Sequence, residues 1–275
     1  MNDRFKKIRL VVSDIDGTLL TSDNNLHPAT LDAIHSLRKG TGCDFTLSTG
    51  RSFPLSYPVM QHLGLSAPYI FSGGAIFDSS TQAVLTDHFI DAQTVDDIRH
   101  FAQERGLGLI AHTARCMLCM LDDADWERIS SIEWIKGQKT DHANRVDTIT
   151  ADRNDPVIRF DIFSEDKPLA AAFIQVRHSF PQLHAVQMSR SIELTPTTVN
   201  KGSALRKLVA LQHINLDQVM ALGDSLNDMA LLEEAGIGVA MATAPEALKS
   251  VADVIVPPSD DGGFADALEL LTYLH

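Results

Sequence analysis

The run Lys7-Ile8-Arg9-Leu10-Val11-Val12-Ser13-Asp14-Ile15-Asp16-Gly17-Thr18-Leu19-Leu20 constrains the fold more than any other stretch of the chain. Apart from Arg9, residues 8–12 are apolar and rich in β-branched side chains, which fits a short, largely buried strand rather than an amphipathic helix. Two acids follow as soon as that run stops. In an open α/β sheet, ligands bind outside the carboxyl ends of the strands, so Asp14 and Asp16 fall where chemistry is done. Extended backbone places residues two apart on the same side, which predicts that both carboxylates point into one pocket while Ile15 points away. Gly17 then lets the chain turn sharply.

Two carboxylates sharing a site repel each other, and one must hold a proton or share a cation. An oxygen-seeking dication such as Mg²⁺ neutralises the pair and docks a phosphate, whereas a carboxyl that keeps its proton serves as a general acid. The plainer alternative is a turn whose acids cap the next segment. The stretch Asp-Ile-Asp-Gly-Thr-Leu that begins at Asp14, behind an apolar strand, resembles motif I of the haloacid dehalogenase superfamily. That resemblance implies a phosphate-accepting nucleophile at Asp14 and an acid/base at Asp16.

A chain of 275 residues, 44 % hydrophobic, can bury a sizeable core and suits one large α/β domain or a core with a smaller companion. Its formal net charge of −13 argues against nucleic acid or an anionic membrane as partner, since both polyanions are bound through Lys and Arg. A small phosphorylated substrate fits, because a metal and a few local cations reverse the field inside a cleft. Residues 1–7 are polar and the apolar run behind them is too short for a signal segment or a span, so a cytoplasmic location is expected. Three cysteines fit a reducing compartment without a disulfide framework. Cys116 and Cys119 form a Cys-x-x-Cys, but Met117 and Leu118 between them predict a strand that turns the thiols to opposite faces, and no second pair completes a zinc site.

The other polar constellations also follow apolar strands or open helices. Cys43, Phe45 and Leu47 alternate with Asp44 and Thr46, and Ser48-Thr49-Gly50-Arg51 sits at the carboxyl end of that strand. Thr49 offers a hydroxyl, Gly50 permits close backbone approach, and a helix starting near Phe53 aims its amides at an anion. A simple Ser/Thr cap is the alternative there. Asn200-Lys201-Gly202-Ser203 leads into a helix predicted from about Ser203, and a lysine at that end faces the positive pole of the helix dipole, which favours an anionic partner beside it. An apolar strand at 219–222 runs into Gly223-Asp224-Ser225-Leu226-Asn227-Asp228, where Asp224 and Asp228 can share a helical face with Asn227 on the adjoining turn.

These three stretches resemble motifs II, III and IV of the same superfamily. The resemblance implies phosphate contacts from Thr49, Gly50, Lys201, Asn227 and the backbone at Ile15. It also implies a Mg²⁺ site made by Asp14, the Asp16 carbonyl and Asp224, with Asp228 orienting Lys201 or a metal-bound water. For Arg51 an ordinary ion pair and a role in the site both stand open.

Between motifs II and III the rhythm changes. A hairpin is read at 76–85, then helix 94–105, strands 107–111 and 116–121, helix 124–136, strand 157–163, helix 167–178 and strand 184–188. Consecutive strands without a helix between them imply antiparallel pairing, hence a separate α+β unit. Asp122, Asp123 and Asp125 read as a helix cap and first turn, and 137–156 as a polar loop. The parallel rhythm is expected to resume after Pro196.

The whole pattern resembles the Cof-type (subfamily IIB) branch of the superfamily. It implies a Rossmann-like, parallel-sheet α/β core from residues 1–86 and 190–275, with an inserted α+β, C2-type cap at 87–189 closing over the site. The implied activity is Mg²⁺-dependent hydrolysis of small phosphorylated metabolites, sugar phosphates or phosphorylated cofactors, through an aspartyl-phosphate. Trp126, Trp134, His184 and Arg190 are candidate cap contacts. In Ser72-Gly73-Gly74-Ala75, Gly73 stands where such phosphatases often carry Asn, and Thr243 stands where Asn is common. A phosphomutase of the same superfamily shares all four motifs. A receiver-like signalling module also uses an acid cluster, a Thr and a Lys, but puts its nucleophile on a different strand from its acid pair and has no inserted domain. An EF-hand fails because the twelfth position from Asp14 is Asn25, where a bidentate Glu is required.

Overall fold

The computed structural model describes residues 2–78, 80–81, 83–85, 89–113, 115–131, 143–188 and 190–272. Their strands, in chain order, are β1 (Leu10–Ser13), β2 (Asp44–Leu47), β3 (Tyr69–Phe71), β4 (Ala75–Asp78), β5 (Ala83–Val84), β6 (Gly108–Thr113), β7 (Met117–Met120), β8 (Ala143–Arg145), β9 (Val157–Phe163), β10 (Leu183–Gln187), β11 (Ser191–Pro196), β12 (Val219–Gly223), β13 (Ile237–Met241) and β14 (Val254–Val256). The chain divides into two compact units, Met1–Gly50 with Met60–Leu85 and Asn200–His275, and Arg51–Val59 with Thr86–Val199.

The first unit is built on a five-stranded sheet of order β14-β13-β12-β1-β2, parallel throughout. Leu10, Val11 and Val12 are fully buried, as a strand covered on both faces requires. Leu10 and Val12 meet Leu205 and Leu208 of the helix Lys201–Leu211 and Leu231 of the helix Met229–Glu234. Phe45, in register with Val11, lies on the opposite face, where its ring stands edge-on to Phe264 of the helix Gly263–Thr272 at 5.7 Å. Helices thus cover both faces, as in doubly wound folds. β1 lies between β2 and β12, and its carboxyl end is where the strand order reverses, the usual ligand position in such sheets. A separate three-stranded antiparallel sheet, β3-β4-β5, approaches β2 through a parallel bridge from Ser48 to Ile70.

The second unit carries a six-stranded sheet of order β10-β11-β9-β6-β7-β8, antiparallel except for the β7–β8 pair. One face packs Leu109, Ala111, Phe160 and Ile162 against Val95, Ile98 and Phe101 of the helix Ala92–Arg105 and Val176 of the helix Ala170–Ser179. On the other face Ile110, Met117 and Cys119 meet Trp126 and Ile129 of the helix Asp123–Ser131. This is the α+β unit expected. β11 belongs to it, hydrogen-bonding antiparallel to β10 and β9, so the unit runs to Val199. β8 lies inside the stretch read as loop and pairs with β7, and Ile149 beyond it is fully buried. The expected helical residues 132–136 lie outside those described. Among the described residues no helix is long and apolar enough to cross a membrane.

Candidate active site

Asp14 begins where β1 ends. Its N–H donates to Leu222 O of β12 at 3.0 Å, and on the other side Ser48 N–H donates to Ser13 O at 2.8 Å. The peptide is thereby held between its two neighbouring strands. Lys201 Nζ donates to Asp14 Oδ1 at 2.7 Å and to Asp228 Oδ1 at 2.5 Å. That lysine is only 1 % exposed. Its helix starts at Lys201 rather than near Ser203, because Asn200 Oδ1 accepts the Ser203 N–H while Ser203 Oγ accepts the Asn200 N–H, a reciprocal cap. Asp14 and Asp228 are the anions that a lysine at a helix N-terminus calls for.

Asp228 is occupied on both oxygens. Its Oδ2 accepts the N–H groups of Asp224 and Ser225, each at 3.1 Å, and the Ser225 hydroxyl at 3.2 Å. Residues Leu226–Asp228 form a 3₁₀ turn ahead of the helix Met229–Glu234, so Asp228 folds back over the loop instead of sharing a helical face with Asp224. Asp224 Oδ1 accepts from Thr18 Oγ1 at 3.0 Å. Gly17 sits in the left-handed region, φ +76°, and a β-carbon there would collide with the Asp224 carboxylate. A glycine at this point lets the loops after β1 and β12 come together. One oxygen each from Asp14, Asp224 and Asp228 lie within 4.8 Å of one another.

Burial pushes the Asp14 carboxyl up to about 7; Lys201 pulls it back, and Asp228 adds to the rise. Burial likewise pushes Asp224 up to about 6, with the Asp228 charge next in importance. For Lys201, burial opposes the charge, but Asp14 and Asp228 outweigh it and hold the pKa above the ordinary lysine range. One ammonium among three carboxylates leaves unbalanced negative charge in a pocket of low dielectric. An all-oxygen donor set, with Asp14 and Asp224 converging where no side chain can intrude at Gly17, fits a hard dication.

Asp16 is placed differently from the paired pocket expected. β1 stops at Ser13, and the N–H groups of Leu19 and Leu20 both close on Ile15 O, at 3.1 and 2.9 Å, so the backbone is turning, not extended. Ile15 is buried, Asp16 is exposed, and Asp228 rather than Asp16 supplies the third carboxylate of the cluster. The Asp16 charge still reaches Asp224 and contributes to its raised pKa.

Thr49 is fully buried at the end of β2, its N–H donating to Ile70 O and its carbonyl accepting from Gly73 N–H, each at 2.9 Å. Gly50 follows, and a β-carbon there would lie 3.9 Å from Asn227 Nδ2, which makes the two neighbours. Asn227 is exposed, its Oδ1 accepting from Ser225 Oγ at 2.7 Å. Thr18 and Ser225 escape a sequence reading, whose only signal for them is their adjacency to the acids. In the second unit, Asp122 caps its helix through the Asp125 N–H at 2.8 Å, as expected. There Trp126 is a packing residue, Arg190 pairs with Glu165 at 2.6 Å, and His184 is exposed on β10. Trp134 lies outside the described residues. All three cysteines are free.

A profile of haloacid dehalogenase-like hydrolases matches residues 11–268. The chain is 28 % identical over 272 residues to the 5-amino-6-(5-phospho-D-ribitylamino)uracil phosphatase YcsE of Bacillus subtilis, covering 95 % of this chain and 94 % of that protein. It is 25 % identical over 272 residues to the pyridoxal phosphate phosphatase YbhA of Escherichia coli, covering 97 % and 98 %. The crystal structure of a haloacid dehalogenase-like hydrolase from Bacteroides thetaiotaomicron shares the fold, with a TM-score of 0.82 at 20 % identity over 95 % of this chain and 98 % of that one. With the motifs gathered at one end of a parallel sheet and the family profile spanning nearly the whole sequence, the chain belongs to the haloacid dehalogenase-like hydrolases.

Proposed function

We propose that this enzyme hydrolyses small phosphorylated metabolites with Mg²⁺ as cofactor and Asp14 as nucleophile. The observation that carries this reading is the convergence of Asp14, Asp224, Asp228 and Lys201, in which Lys201 alone reaches Asp14 across 187 positions of sequence. An Asp14 oxygen attacks phosphorus, the bond from phosphorus to the leaving oxygen breaks, and an aspartyl-phosphate forms. Asp16, exposed where a substrate oxygen can reach it, gives its proton to the leaving alcohol. It then takes a proton from the water that attacks the intermediate, and cleavage of the bond between phosphorus and Asp14 frees phosphate.

Lys201 fixes the Asp14 rotamer and offsets its charge, while Thr49, Gly50, Asn227 and the amides from Ile15 onward receive the phosphoryl oxygens. Asp14 and Asp224, with the Asp16 carbonyl, would hold Mg²⁺, which when bound draws charge from those oxygens. The substrates named for the two relatives, a phosphorylated ribitylaminouracil and pyridoxal phosphate, support the small-metabolite class. The net charge of −13 supports an enzyme without nucleic-acid or membrane partners, and the three free cysteines fit a reducing, cytoplasmic compartment. Phosphate release from a panel of phosphomonoesters, with Mg²⁺ and with chelator, tests the reading. Turnover that needs the metal and disappears in Asp14→Asn is expected; full turnover in Asp14→Asn, or in chelator, overturns it.

A further inference from the structure

The turn that fastens Thr49 adopts a conformation that one of its residues disfavours. Ser72, at φ +47°, and Gly73, at φ +73°, are successive left-handed residues, and Gly74 N–H closes on Phe71 O at 3.0 Å, the pattern of a type I′ turn. Glycine adopts such angles freely; serine does so against steric resistance. The Ser72 hydroxyl adds a second penalty. The residue is 1 % exposed and its Oγ has no hydrogen-bond partner among the described residues. Two penalties at one position point to something nearby that needs the conformation.

The main chain identifies what that is. Ile70 O holds the Thr49 N–H, and Gly73 N–H holds the Thr49 carbonyl, so the segment around Ser72 grips both backbone groups of the threonine. The peptide between Ser72 and Gly73 presents its N–H to Thr49 only while Ser72 is left-handed; an ordinary backbone angle swings that peptide away. Ser48, just before Thr49, bridges Ile70 and likewise buries a hydroxyl without a partner among the described residues. At Gly73 a β-carbon would meet nothing within 4 Å, so the backbone angle, not crowding, selects the residue there.

We propose that Ser72 is a positioning residue for phosphoryl transfer: its left-handed turn sets where Thr49 presents its hydroxyl to the phosphoryl group. The proposal rests on the phosphatase reading and requires no contact between Ser72 and substrate. Ser72→Gly and Ser72→Asn tolerate the left-handed angle, whereas Ser72→Val, being β-branched, resists it. The three variants and the wild type are compared by kcat/KM on p-nitrophenyl phosphate, by inhibition with inorganic phosphate, and by thermal midpoint.

Since a displacement of about 1 Å at a positioning group can cost up to roughly a hundredfold, Ser72→Val is expected to lose about tenfold in kcat/KM and about tenfold in phosphate affinity. Ser72→Gly and Ser72→Asn should stay within about twofold on both, which would assign the effect to the backbone angle rather than to the hydroxyl. If Ser72→Val does not fold, Ser72→Ala is compared with Ser72→Gly, and about threefold weaker phosphate binding in the alanine variant is expected. A valine or alanine variant that melts lower but matches Ser72→Gly in phosphate affinity and kcat/KM overturns the proposal, because the turn would then be structural only. A wild-type chain that neither turns over p-nitrophenyl phosphate nor binds phosphate removes the phosphatase reading, and the proposal with it.

Discussion

With divalent cations chelated, the protein should lose stability as pH rises from mildly acidic to mildly basic. Folded Asp14 titrates at about 7, against an ordinary value of 3.8, because burial penalises its charge. The folded state therefore binds this proton more tightly than the unfolded chain does, and stability from the group is full below the ordinary value and lost as pH climbs through about 7. The complete shift is worth about 4 kcal/mol. Integrated between about pH 5 and about pH 8 it amounts to about 2.5 kcal/mol. Asp224, raised to about 6, acts in the same direction, with a share reduced by its partial exposure to solvent. Acids whose pKa is lowered, Asp23, Asp78, Asp91, Asp161 and Asp253, change their contribution below 3.8 and are constant across this window.

A dication bound as proposed by Asp14 and Asp224 would have to displace their protons, so its stabilising effect should be larger at about pH 8 than at about pH 5.5. Thermal unfolding of chelated and Mg²⁺-loaded wild type, with Asp14→Asn as reference, measures this. The chelated wild type should lose roughly 5–10 °C more than Asp14→Asn across the range. A chelated wild type that is flat, or gains stability with pH, relative to Asp14→Asn would refute the burial argument.

Three further outcomes follow from the packing. Lys201→Met strips the counter-charge from two buried carboxylates and should cost about 3–5 kcal/mol in chemical denaturation, along with phosphate release. Gly17→Ala forces a left-handed alanine against Asp224 and should weaken Mg²⁺ binding in calorimetry at least tenfold, roughly the effect of disturbing a ligand's support. In the second unit Arg159 donates to both oxygens of Asp161, which also bonds His112 Nε2 at 2.8 Å. Burial would raise the Asp161 pKa, but Arg159 and His112 outweigh it and depress it. That stabilisation is present above the ordinary carboxylate value and is lost as pH falls, so Arg159→Leu should cost about 3 kcal/mol near neutrality and progressively less in acid, read by denaturant titration.

The strands around the site were legible because each is a short apolar or alternating run that ends on a polar signature, and the lysine was legible because a cation at a helix start needs an explanation. Register and partner choice were not. β11 alternates Ile192 and Leu194 with Ser191, Glu193 and Thr195, a pattern that any half-buried strand shows, and its place beside β9 is decided by residues some thirty positions earlier. β8 is too short and too polar to stand out from the loop around it. The position of Asp16 depended on where β1 stops, and a shift of one residue changes which face a side chain takes. Asp228 was assigned its orienting role by resemblance, but the fold-back that engages both its oxygens comes from a 3₁₀ turn with no distinct sequence signal.

The 187 positions that separate Lys201 from Asp14 also have a meaning for biosynthesis. At about 5–20 residues per second, a ribosome that has just made Asp14 needs roughly ten to forty seconds more to deliver its counter-ion. Throughout that interval β1 lacks β12, one of its two neighbours in the finished sheet, and the Asp14 carboxylate lacks the ammonium that pairs with it in the fold. The buried cluster is thus assembled only after β12 has been made, and the unpaired strand edge exposed meanwhile is a natural place for a chaperone to act.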